Sequence, residues 1–211
     1  MAYTANKDPV FTKSGIFNTG KTITTANTAK DGTGTVVTVF DAQRTASTLT
    51  SSGTVATATT TDPHNFLNGE EIMTSGVSEA GYNGIHTITV TGPKTFTYTV
   101  ASGLTTPATG TIVFDPVNGC RITSLVFQPT GTATATAARA FLNNGQTNAT
   151  PGNNTYIDDV TLAAATLSEV ASMAGTTMPL DIVVPPFHKI NVTIGTTVAA
   201  AYAVYAIAGA Y

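Results

Sequence analysis

Charge is what this chain has least of. Asp, Glu, Lys and Arg make up only 10% of its 211 residues, against about a quarter in an ordinary soluble domain. The nine basic residues are scattered, and the formal charge is −3. A phosphate backbone is held by several cations on one face, so this composition excludes a nucleic-acid partner. Cys120 is the only cysteine and has no internal mate for a disulfide. Tryptophan is absent and aromatics amount to 8%, a thin supply for the flat surfaces on which sugars stack. No apolar run approaches the ~18 residues of a membrane span, and Met1-Ala2-Tyr3-Thr4-Ala5-Asn6-Lys7 lacks an apolar signal core. The expectation is a protein folded in a cytoplasm, with no membrane partner.

What the chain has in plenty is Thr, Ala, Val and Gly. Thr combines a solvating hydroxyl with a β-branched carbon that suits a pleated strand, so this mixture predicts sheet and almost no helix. A surface with so few charges must be neutral and polar. At this length, about 70% of the unfolded surface can be buried, enough for a substantial core.

The organising feature is a split between Phe40 and Ile122. Gly32-Thr33-Gly34-Thr35-Val36-Val37-Thr38-Val39-Phe40 reads as a strand, and Asn118-Gly119-Cys120-Arg121-Ile122 as a turn into another. Joined directly, they would make a hairpin. The intervening residues carry their own pattern of short strands and turns, and Thr95-Phe96-Thr97-Tyr98-Thr99-Val100 alternates cleanly. The reading is therefore a host with a guest in one turn: an N-terminal arm over 1–30, a host over 31–44 plus 117–211, and an inserted small β domain over 45–116. About five strands are expected in the guest. In the host, strands such as Lys189-Ile190-Asn191-Val192-Thr193-Ile194 alternate, a helical turn is expected near Glu169 to Met173, and the apolar terminus around Tyr202 reads as a central strand or one hidden between subunits. The predicted fold class is all-β: an antiparallel, jelly-roll-like β-sandwich with an inserted small barrel or sandwich.

Two resemblances sharpen this. His64-Asn65-Phe66, Asn68-Gly69-Glu70, Gly76-Val77, Tyr82-Asn83-Gly84 and Thr95-Phe96-Thr97-Tyr98 resemble, in order and spacing, a small β module of bacteriophage tail and virion proteins. Asn65-Phe66 stands where that module usually has Gly-Leu. Gly32 to Phe40, Asn118 to Ile122, Arg139 to Leu142, Leu180 to Pro185 and Gly209 to Tyr211 resemble a family of small phage virion proteins, in which the first two pieces are nearly contiguous. The resemblances imply a structural or recognition role without catalysis.

Motifs of chemistry are sparse. Asp31-Gly32-Thr33-Gly34 is followed by a strand, where a phosphate loop needs a helix, so it reads as a turn. His64, His86 and His188 share no short metal-ligand spacing. Glu70-Glu71 and Asp158-Asp159 are adjacent pairs, whose side chains point to opposite faces of a strand instead of across a cleft. Cys120 has no nearby His and reads as a small buried thiol. No catalytic, cofactor or metal residue is assigned, and the chain is read as no enzyme.

The expected function is a virion structural protein decorating and stabilising a phage capsid, as a homotrimer contacting the major capsid protein or other virion proteins. Ile16, Phe17, Arg121, Arg139, Tyr202, Tyr205 and Tyr211 are the expected oligomer or capsid interface, with the two arginines pairing to Asp158, Asp159 or Asp181 within or across subunits. The competing reading is a tail or fibre component binding a receptor or carbohydrate through exposed loops at His64, Tyr82 and Asn83.

Overall fold

The computed structural model describes residues 12–210, with side chains from 21 to 208. Its strands in chain order begin with β1 (Thr12–Ile23), β2 (Val37–Asp41), β3 (Arg44–Ser52), β4 (Val55–Thr60) and β5 (Glu71–Val77). There follow β6 (Gly84–Thr87), β7 (Thr89–Gly92), β8 (Thr95–Thr99), β9 (Gly110–Pro116) and β10 (Cys120–Pro129). The last are β11 (Thr136–Asn143), β12 (Asn154–Leu162), β13 (Thr176–Val184), β14 (Lys189–Ile194) and β15 (Tyr202–Ala210). Among the described residues there is no α-helix, only two single 3₁₀ turns.

The chain forms two compact units: residues up to Asp41 with Gly119 onward, and Ala42–Asn118. Residues 42–44, 117 and 118, expected in the host, belong to the second unit. Their pairing explains it: Gln43 Nε2 donates to Asp115 Oδ2 at 3.1 Å, Arg44 lies opposite Phe114, and Val117 N donates to Glu71 O at 3.1 Å.

The first unit is an antiparallel sandwich of two four-stranded sheets, β1-β15-β10-β13 and β12-β11-β14-β2. Counted along the chain, its first strand pairs with its last, its second with its second-last, and so inward to β11 with β12. Such nesting is a long hairpin rolled up on itself, the jelly-roll order. It overturns the expected hairpin between the Phe40 and Ile122 strands: β2 pairs with β14, and β10 pairs with β13 and β15, in the other sheet. Turn-compatible spacing marks where a chain can reverse, whereas the partner is chosen by the distant strand whose apolar face completes the layer.

One sheet buries Ile122, Leu125, Phe127, Met178, Val184, Val204, Ala206 and Ala208, and the other Phe40, Ala138, Ala140, Leu162, Ile190, Val192 and Ile194. Of the four edge strands, β13 and β12 are blunted against further strand pairing. On β13, Pro179 offers no N–H, and Asp181, at φ 50°, accompanies a register shift opposite Ile122 and Ser124. On β12, the Asp158 carboxylate turns back to accept the Asp159 amide at 2.9 Å beside another register break.

The arm expected over 1–30 is described in part. Residues 1–11 lie outside the described residues, but Thr12–Ile23 is one long strand beside β15. The loop after it is tied to the second sheet of its own sandwich. Asn27 N donates to Ile194 O at 2.7 Å, and Asn27 Nδ2 donates to Thr33 O and Thr35 O at 2.6 and 2.7 Å. Gly32, at φ 77°, passes so close that a Cβ there would lie 2.6 Å from Asn154 Cβ and 3.1 Å from Phe141 Cδ1. This loop covers Phe141 and the face it shares with Asn191 and Thr193, which explains why all three are buried.

The second unit is one nearly closed, barrel-like sheet in the order β6-β5-β9-β3-β4-β8-β7. Its end strands β6 and β7 are consecutive in the chain, separated only by Ile88. The Ile88 N–H donates to Glu70 O at 3.0 Å and its carbonyl accepts Gly69 N–H at 2.9 Å, so a single bent strand closes both edges. Seven strands replace the expected five. Ile85 to Val90 breaks at Ile88, and Arg44–Ser52 has one fully buried apolar residue, Leu49, too weak a pattern to read. The core holds Leu49, Ile72, Tyr82, Ile88, Phe96, Tyr98, Ile112 and Phe114.

Near Glu169 to Met173 there is no helical turn. Ser168 Oγ accepts the amides of Val170 and Ala171 at 3.2 and 3.1 Å, a local side-chain turn that competes with helix.

Candidate functional site

The expected recognition loops prove to be fastenings of the barrel. His64 is 3% exposed, ringed by Phe66 and Phe96 with centroids 5.1 and 5.3 Å away. Its Nδ1 accepts the Phe66 amide at 2.9 Å, which leaves Nε2 carrying the proton and donating to Gly92 O at 3.0 Å. Burial holds its pKa below the ordinary value; the Gly92 carbonyl opposes this and the nearby Arg44 charge adds to it. Asn65 sits at φ 58°, a conformation Gly adopts freely and Asn tolerates best among the rest.

Tyr82 is fully buried. Its hydroxyl donates to Thr105 O at 2.9 Å, and the Ser51 hydroxyl at 2.7 Å then donates to it. Asn83 is exposed, yet its amide is engaged on both sides of Val77, donating to Val77 O at 2.8 Å and accepting Val77 N–H at 3.1 Å. His86 stacks on Tyr98 at 4.3 Å and bonds Tyr82 O at 3.1 Å. Burial lowers the His86 pKa and pushes Tyr98 up to about 12. His64 and Tyr82 are therefore core, not exposed loop residues. Turn-rich sequence around them marks close packing of backbone as readily as it marks a binding surface.

The expected interface residues divide similarly. Tyr202 is 2% exposed and its hydroxyl reaches Ala163 O at 3.2 Å, so it packs within its own sandwich. Arg121 pairs with Asp181 inside the unit, Nη2 to Oδ1 at 2.6 Å and Nε to Oδ1 at 2.7 Å, in an exposed setting. Arg139 lies opposite Asp159 across β11 and β12 but runs toward Gly195, where a Cβ would stand 3.4 Å from Nη2. Ile16 and Phe17 are paired by backbone to Ile207 and Ala206; their side chains, and Tyr211 entirely, lie outside the described residues.

Tyr205 remains half-buried on the outer face of the first sheet. It lies opposite Val126, itself opposite Thr177, while the alternating Val204, Ala206, Leu125 and Phe127 are buried. Ile207 and the 53%-exposed Val183 extend this weakly charged face, with the Arg121–Asp181 pair at one end. The sequence reading named Tyr205 and Arg121 but missed Val126 and Val183. Their signal is the alternation within 120–129 and 176–184, hidden because both faces of β10 carry apolar residues. It missed too the loop between β12 and β13, held by paired Ala133–Ala165 amides at 2.9 Å and presenting Leu167 at 54% and Val170 at 98% exposure.

The acidic pairs do not converge. Glu70 accepts Leu67 N–H at 2.7 Å with its pKa raised by burial, while Glu71 is exposed. Asp31 closes its own turn, accepting Thr33 N and Oγ1 at 3.0 and 2.7 Å, which lowers its pKa. No group of three His, Cys, Asp or Glu able to hold a metal occurs among the described residues. Cys120 is buried. Comparison with family models, with curated proteins and with solved structures finds no significant match.

Proposed function

We propose that this chain is a bacteriophage virion structural protein that decorates the capsid exterior as a homotrimer and works by contact instead of by chemistry. The observation carrying this reading is the outer face of the first sheet, where Tyr205, Val126, Ile207 and Val183 stand among Thr and Ser with, among the described residues, a single ion pair. A neutral face of this kind makes broad contact with little charge to desolvate. The blunted edges at β12 and β13 disfavour strand addition there. The two phage resemblances and the jelly-roll order, an architecture used in capsid shells, point the same way. Of the three residues expected to recognise a receptor, His64 and Tyr82 are buried, and the exposed Asn83 has its amide engaged on Val77.

Purified protein added to capsids that lack it should bind at regular lattice points in cryo-electron micrographs, and sedimentation should give three copies per assembly. Tyr205→Asp should abolish lattice binding while preserving the strand-rich circular dichroism spectrum. Binding confined to the tail would sink the decoration reading.

A further inference from the structure

Residues 163–175 join β12 to β13, the outer strands of two different sheets. Past the Ala133–Ala165 pairing, residues 166–175 carry neither strand nor helix, and all but Ser168 and Met173 are exposed. Val170 is 98% exposed. The Val170 and Ala171 amides donate to Ser168 Oγ at 3.2 and 3.1 Å, and Leu167 N donates to Thr132 Oγ1 at 3.0 Å. Bonds of this kind, from amide to side chain, can be exchanged for those of an enzyme that holds the segment as an added strand. Exposed loops of small residues are where folded chains are nicked.

The other long loops are fastened through main chain or core. Asn27 N–H donates to Ile194 O at 2.7 Å and Val198 N–H to Thr24 O at 3.0 Å, which ties residues 24–36 and 195–201. His64 and Phe66 anchor 61–70 in the barrel core. In 100–109, Ala108 N–H donates to Leu49 O at 2.8 Å, and Thr105 O accepts the buried Tyr82 hydroxyl at 2.9 Å. Asn144 N–H donates to Asn153 O at 3.0 Å across the loop before β12.

We propose that the Val170–Ala171 peptide bond is a processing site for an endopeptidase that accepts a small aliphatic side chain, and that the cut chain stays assembled as two pieces. Water adds across the bond: the C–N bond breaks, leaving a carboxylate on Val170 and an amine on Ala171. The piece from 171 onward carries β13, β14 and β15. In it, β15 lies between β1 and β10, and β14 between β11 and β2, so this piece is a member of both sheets. Its Met178, Ile190, Val192, Val204 and Ala206 are buried. The two pieces therefore share one apolar core, and parting them would open both sheets.

The full chain incubated with elastase, which cuts after small aliphatic residues, tests this by mass spectrometry and gel filtration. A bond in a strand or a fastened loop is reached only through local opening. The Val170–Ala171 bond should therefore be cut about tenfold or more faster than any other among the described residues. The nicked protein should elute with the intact protein and part into two fragments only in urea. Ala171→Pro, which places proline directly after the scissile carbonyl, should abolish this cut and keep the strand-rich circular dichroism spectrum. The proposal is overturned if another bond among the described residues is cut first, if Ala171→Pro is cut there as fast, or if the fragments separate without denaturant.

Discussion

The amide of Phe66 donates to Nδ1 of His64 at 2.9 Å, and this contact fixes which proton the imidazole carries. A second proton would have to go on Nδ1, displacing the Phe66 amide inside a cluster of aromatic rings, with Arg44 nearby to repel the charge. The barrel should therefore loosen in acid. His64 and His86 have folded pKa values below the ordinary 6.5, so the unfolded chain binds more protons as pH drops through that value. Stability is full above about pH 6.5 and declines below it, down to the folded pKa values. Glu70, raised from 4.5, acts in the opposite sense at more acid pH. Urea midpoints should fall between pH 7.5 and 5, less steeply in His64→Gln. Equal pH dependence in the two proteins would contradict the role given to His64.

Tyr82→Phe removes the hydroxyl that links Ser51 and Thr105 and leaves both partners short of a bond. The expected cost is about 1–2 kcal/mol. Tyr82→Ala, which also empties core volume, should cost about 3–5 kcal/mol. Denaturant unfolding of the two variants gives both figures, and a neutral Tyr82→Phe would show that the hydroxyl is satisfied elsewhere.

Phe187 occupies φ 65° at the third position of the turn that His188 N closes on Pro185 O at 3.2 Å. This backbone position suits Gly, and a bulky residue there is strained. Phe187→Gly should stabilise the sandwich by about 0.5–1 kcal/mol, reading the relieved strain against glycine's entropy. Gly145→Ala should do the reverse, since its Cβ would stand 2.3 Å from Phe187 O at φ 87°. Thermal unfolding of each variant measures the sign.

In the barrel, a Cβ on Gly76 would lie 1.9 Å from Thr111 O, so Gly76→Ala forces backbone apart and should cost more than about 1–3 kcal/mol. By contrast, the exposed Arg121–Asp181 pair should contribute under about 1 kcal/mol. A double-mutant cycle against Ala at both positions tests the pair, and a large coupling energy would mean it is less solvated than its exposure indicates.

Much of the sheet was readable along the chain. Lys189 to Ile194 and Thr95 to Val100 alternate because one face of each is buried and the other is not, and strand periodicity reports that contrast directly. Arg44–Ser52 was not readable: its partners at Phe114 and Thr60 hold it by backbone, and backbone pairing leaves little mark on side-chain choice. His64 and Tyr82 were misplaced for a related reason. Each is a polar group whose burial depends on a distant acceptor, Gly92 O for one and Thr105 O for the other.

Composition and local pattern alone determined that the described chain is sheet, that its surface carries little charge, and where it turns. Which strand lies beside which, and hence the nested order that puts β2 and β10 in different sheets, was decided only when segments far apart in sequence met. A strand's pattern states how many of its faces must be hidden, but any apolar partner of matching length can hide them. The choice among partners belongs to the packing of the whole layer.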